Sequence, residues 1–196
     1  MVRHPKSVAL LLVLLVLLSG CSQYRFHGIP YEHRMAAPAI IGQNHDGSPF
    51  DLAALRGKAV LLFFGYTSCP DVCPTTLAEM RVLYANLGER ATNTAVVFVS
   101  VDPERDTVSR LGEYVPLFNP NFYGVHVSDE QLAPIKSAYG VVAEKVYYKP
   151  EDTAAGYSVD HTARLYLISP ASQLITSYPY GSDITKIQKD VEFLLK

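Results

Sequence analysis

A chain of 196 residues with a formal net charge of −2 and no run of Lys or Arg lacks the electrostatic footprint of a nucleic-acid binder. Hydrophobic residues make up 48% and charged residues 18%, which supports one sizeable core and excludes a disordered chain. Only three cysteines occur, so a framework of several disulfides is excluded as well.

The chain opens on a segment that does not read as part of the fold. Arg3 and Lys6 precede an unbroken apolar run, Val8 to Leu18. That run is shorter than the roughly 20 residues a membrane span needs and suits a signal-peptide core. Leu18-Ser19-Gly20-Cys21 resembles the bacterial lipobox, where cleavage precedes a cysteine that then carries lipid. The expectation is a lipoprotein signal peptide over 1–20, an acylated Cys21, and a polar tether over 21–34. The protein would then be membrane-anchored in a bacterial cell envelope, facing the periplasm or the cell exterior. His27 and His33 in the tether read as solvated. With Cys21 acylated, Cys69 and Cys73 remain as a pair in an oxidising compartment, where a dithiol needs a reductant or a metal to stay reduced.

Residues 35–196 read as one domain. Ile40-Ile41-Gly42 and Gly47-Ser48-Pro49-Phe50 suggest a small hairpin turning at Asp46-Gly47, followed by helix-like Leu52 to Leu55. Ala59 to Phe64 has the length and composition of a buried strand. A short polar loop then delivers Cys69 and Cys73, and apolar residues at Leu77, Met80, Leu83, Tyr84 and Leu87 follow helical spacing over Thr75 to Leu87. Ala95 to Val101 is a second buried strand, so the two should form a parallel unit crossed by that helix. Helices are expected at Val108 to Tyr114 and, between Ser128 and Gly140, at Asp129 to Tyr139, with a short strand at Phe122 to Val127. Val141 to Tyr148 reads as strand and Lys149 to Ser158 as exposed loop. Arg164 to Ile168 and Leu174 to Tyr178 read as a hairpin, and Ser182 to Leu195 as a final amphipathic helix. These pieces predict an α/β sandwich of the thioredoxin type, a central mixed sheet flanked by helices, with insertions.

Cys69 and Cys73 carry the chemistry. A helix N-terminus favours thiolate over thiol, so sulfurs placed there should be reactive. The pair can close to a disulfide or clamp a soft metal ion. Two sulfurs leave copper or zinc incompletely coordinated, which directs attention to imidazoles. His161 follows an exposed loop and precedes a strand, with Asp160 beside it as a source of supporting charge; His126 ranks next. Two thiolates and one imidazole suit both Cu(I) and Cu(II). Met80, at helical spacing from Cys73, reads as core rather than as a ligand.

Cys69-Pro70-Asp71-Val72-Cys73-Pro74, Val101-Asp102-Pro103-Glu104-Arg105-Asp106-Thr107 and Val159-Asp160-His161-Thr162-Ala163, in this order, resemble the Sco (SenC/PrrC-type) family. The resemblance implies a membrane-tethered, thioredoxin-like protein binding one copper through Cys69, Cys73 and His161. It implies a role in assembling the binuclear copper centre of cytochrome c oxidase, with the oxidase's copper-bearing subunit, another copper chaperone or a thiol reductant as partners. Some relatives in that family are tied to thiol–disulfide chemistry. The second reading is therefore an oxidoreductase acting through a redox pair and disulfide at Cys69 and Cys73. A thiol peroxidase is a third and weaker alternative. The segment from Tyr147-Tyr148-Lys149-Pro150 onward matches the family least.

Overall fold

Seven consecutive buried residues, Ala59–Gly65 (β4), form the strand that the site-bearing loop leaves. The computed structural model describes residues 24–149 and 156–196. The expected signal peptide, Cys21 and the start of the expected tether lie outside the described residues, as does part of the segment expected as an exposed loop over Lys149 to Ser158. Strand β4 pairs in parallel with β5 (Thr94–Ser100) and antiparallel with β9 (Arg164–Ile168). Such two-sided burial is why β4 and β5 read as continuous apolar runs rather than as alternating ones.

The other main-sheet strands are β1 (Ile29–Ala36), β2 (Ile41–Asn44), β3 (Pro49–Asp51), β6 (Tyr123–His126) and β10 (Gln173–Pro179). Their order is β1-β10-β9-β4-β5-β6-β2-β3. Helices α1 (Val72–Asn86), α2 (Val108–Tyr114), α3 (Asp129–Tyr139) and α4 (Ile184–Leu194) flank it, with α1 and α4 packed together. The mixed α/β architecture is the thioredoxin type expected. A capping box starts α3 at Ser128 and Gln131, and Gly140 ends it in the left-handed conformation, φ 65°.

Two elements depart from the sequence reading. A separate two-stranded sheet joins β7 (Ala143–Tyr147) to β8 (Tyr157–His161), so His161 ends a strand rather than standing on a loop edge. The tether assigned to 21–34 is also too long, because β1 begins at Ile29 and pairs antiparallel with β10. Ahead of it, the Tyr24 hydroxyl donates to Asp190 Oδ1 at 2.6 Å and the His27 backbone N–H to Oδ2 at 2.8 Å. The His27 ring reaches Oδ1 through Nδ1 at 2.7 Å, and the Tyr178 hydroxyl donates to Oδ2 at 2.7 Å. Tyr24 further stacks on Phe193, 3.8 Å between ring centroids. His27 is thus bound to the domain rather than solvated. Proline and charged residues give β1 little strand signal, and its partner lies at the other end of the chain.

Candidate metal site

The loop after β4 is folded so that Cys69 precedes α1 while Cys73 lies in its first turn. The pair therefore straddles the helix start, where the sequence pattern alone begins the helix at Thr75. The Cys69 thiolate is stabilised mainly by a hydrogen bond from the Cys73 thiol, with further help from His161 and the backbone N–H groups of Asp71 and Cys73. Against desolvation, these donors pull its pKa from the usual thiol value down to about 4. Cys73 behaves oppositely: donating to Cys69 and being buried both push its pKa up. One sulfur is thus activated, not both as expected, and chiefly by its neighbouring cysteine rather than by the helix start. Both stand as free thiols.

Close approach makes the site possible. A Cβ on Gly65 would fall 2.8 Å from Cys73 Sγ, 2.7 Å from Phe98 and 2.9 Å from Phe63, so only glycine lets the helix start pack on β4 here. Thr67, two residues before Cys69, is anchored from below by Asp106. Its backbone N–H and hydroxyl donate to the two carboxylate oxygens at 2.9 and 2.6 Å, and Ser100 adds a third bond at 2.7 Å. Burial raises the pKa of Asp106, with these donors working against the rise.

His161 completes the group. Its Nε2 lies 3.4 Å from Cys73 Sγ, and the two sulfurs and one imidazole nitrogen fall within 4.8 Å of one another. The rings of Tyr66 and Phe63 meet the imidazole edge-on, at 5.6 and 6.1 Å between centroids. Its buried Nδ1 has no hydrogen-bond partner among the described residues. Asp160, expected to support it, is exposed on the opposite face of β8. Two other imidazoles are used elsewhere: His126 Nδ1 at the Asp106 carbonyl, and His45 Nδ1 accepting from the Gly124 N–H. Met80 is a buried core residue. Sequence reasoning missed Tyr66, Phe63 and Asp106 as parts of the site. Asp106 falls within the Val101–Thr107 motif, and Phe63 and Tyr66 fall in the family-like stretch Gly57 to Thr67 that leads to Cys69, but neither motif assigns them a role.

The donor set fits a soft metal. Two sulfurs satisfy Cu(I), and the imidazole adds the nitrogen that Cu(II) favours. A structural zinc site would ordinarily need a fourth ligand, and the metal-ligating group found among the described residues has three members.

Comparison with known proteins agrees with this geometry. A family model described as SCO1/SenC matches residues 42–196. A putative copper-binding protein of Stutzerimonas stutzeri is 35% identical over 147 residues, covering 74% of this chain and 69% of that protein. The mitochondrial SCO1 homolog 1 of Arabidopsis thaliana is 35% identical over 148 residues, covering 74% of this chain but only 43% of that longer protein. The structure of Bradyrhizobium japonicum ScoI with copper bound superposes with a TM-score of 0.74 at 32% identity, covering 82% of this chain and 100% of that one. A family match over most of the chain and a three-donor group assembled from two distant segments lead to one conclusion: this chain belongs to the SCO1/SenC family.

Proposed function

We propose that the protein is an envelope copper-handling protein that carries one copper on Cys69, Cys73 and His161. Its recipient in this reading is the copper-bearing subunit of cytochrome c oxidase, which it helps to metallate, with another copper chaperone as donor. The observation that carries the proposal is the convergence of two thiols and an imidazole within 4.8 Å. Copper is cargo here, so the site must both hold it and release it. A half-buried imidazole beside one activated and one protonated thiol suits that task. The copper-bound Bradyrhizobium relative supports the choice of metal.

The thiol chemistry favours a second activity at the same residues. A thiolate next to a thiol is the reduced half of a dithiol–disulfide couple, and closure between Cys69 and Cys73 would release two electrons and one proton to an acceptor such as a target disulfide, whose two sulfurs leave as a thiol and a thiolate. Disulfide sulfurs cannot act as thiolate ligands, so the two states exclude each other. Copper titration of the full chain tests the proposal. The reduced protein should take up about one Cu(I) and the oxidised protein little or none. Equal uptake by both would place the binding elsewhere.

The lipid anchor belongs to the same proposal. Residues 1–20 are removed and Cys21 is acylated, holding the domain at the membrane through more than one chain, because a single chain binds only marginally. No helix among the described residues is long and apolar enough to cross a membrane. Mass spectrometry of the purified protein should find a lipid-modified Cys21 at the N-terminus; an intact, unmodified leader would end this idea.

A further inference from the structure

Among the described residues the hairpin β7–β8 is bonded to no other strand, yet it carries the imidazole of the site. Alternation along β8 places Tyr157, Val159 and His161 on one face. Val159 is buried in the core, and its neighbours on that face point to two different places. His161 meets the thiols. Tyr157, at the far end of the strand, meets Arg105 from the turn after β5.

The contact at Tyr157 is a clamp. The Arg105 guanidinium lies over the Tyr157 ring, 3.7 Å from its centroid, and 5.7 Å from the centroid of the Tyr66 ring. Arg105 also donates to the Tyr157 carbonyl at 2.8 Å and through Nε to Asp102. Asp102 is fully buried, and its other oxygen accepts from the Tyr157 hydroxyl at 2.8 Å. On the outer side, Lys145 of β7 pairs with Glu104 and approaches the same ring. Tyr66 in turn is the ring that meets His161 edge-on. A continuous series of ring and cation contacts therefore runs Tyr157, Arg105, Tyr66, His161.

An imidazole ligand is ordinarily oriented by a hydrogen bond from its second nitrogen. Here Nδ1 of His161 has no such bond among the described residues. Something else must fix the ring. We propose that Arg105 is a positioning residue for His161: by clamping β8 through Tyr157 and backing the Tyr66 ring, it holds the imidazole over the thiol pair. The inference rests on the copper reading and assigns one consequence to the clamp. Arg105 governs the affinity for the oxidation state that needs the imidazole and leaves the two-sulfur affinity alone.

Two variants test it. Arg105→Met keeps the aliphatic stem and removes the stacked cation, whereas Tyr157→Leu leaves the Arg105–Asp102 pair in place and so preserves folding if the first variant does not. In the metal-free reduced chain, amide exchange at Lys145 and Val159 should accelerate at least about tenfold while β4 and β5 stay protected. Cu(II) affinity should fall about 10–100-fold, the scale for losing a ligand's support, with a shifted thiolate-to-copper absorption. Cu(I) affinity should change little. Combined with His161→Ala, either variant should cost no further Cu(II) affinity, because the clamp acts only through that ring. Additive losses, an equal fall in Cu(I) affinity, or unchanged hairpin exchange would overturn the inference. A parent chain that takes up no copper would overturn the copper reading itself, and the clamp's assigned role with it.

Discussion

Replacing His161 by alanine is expected to strip the protein of Cu(II) while leaving Cu(I) binding largely in place. The variant keeps both sulfurs, which suffice as a two-coordinate set for soft Cu(I). Cu(II) prefers a tetragonal set containing nitrogen, and it loses the only imidazole within 4.8 Å of the thiols among the described residues. A loss of about 100-fold or more in Cu(II) affinity is expected, read by competition with a chelator of known strength. Thiol chemistry should fare differently. His161 ranks behind the bond from Cys73 in lowering the pKa of Cys69, so disulfide exchange should persist. Cells carrying this variant then separate the two activities. Loss of oxidase assembly with exchange intact is the outcome the copper reading requires, and retained assembly would transfer the function to the dithiol.

Asp190→Ala should give the largest loss of stability of any single change outside the core strands. The carboxylate is fully buried on α4 and receives four donors, from Tyr24, the His27 backbone, the His27 ring and Tyr178. Removing it strands the Tyr178 hydroxyl inside the protein and releases the segment ahead of β1. Breaking such a buried network costs about 3 kcal/mol or more. For a chain of this size that corresponds to a melting temperature lower by roughly 6–12 °C. Calorimetry of parent and variant checks the value, and a change below about 2 °C would show that the latch contributes little. Copper uptake should be nearly unaffected, because no donor to Asp190 belongs to the metal-ligating group.

The parts of the fold that were legible in the sequence are those whose periodicity reports their own burial. Strands β4 and β5 are apolar throughout because both faces are covered, and α3 carries its start and stop signals at Ser128 and Gly140. Strand β1 was not legible. Its residues include Pro30, Glu32 and Arg34, and what makes it a strand is the edge that β10 offers nearly 150 residues later. The ligand set could be read from chemistry and from the family motifs. The unequal fates of the two sulfurs could not, because they depend on which cysteine receives the other's proton. Nor could the Arg105 stack, since cation–ring contacts between distant segments leave no periodic trace in a chain.

The docked N-terminal segment has a consequence for where the metal can be handed over. A free tether from Cys21 to residue 34 could extend about 45 Å, enough to let the domain roam above a bilayer. With Tyr24 fixed to Asp190, only about 11 Å of chain separates the proposed lipid attachment from the folded body. The domain would ride against the lipid headgroups at a nearly fixed height, as a boat on a short mooring. A recipient would have to meet the domain at the membrane rather than out in the aqueous space.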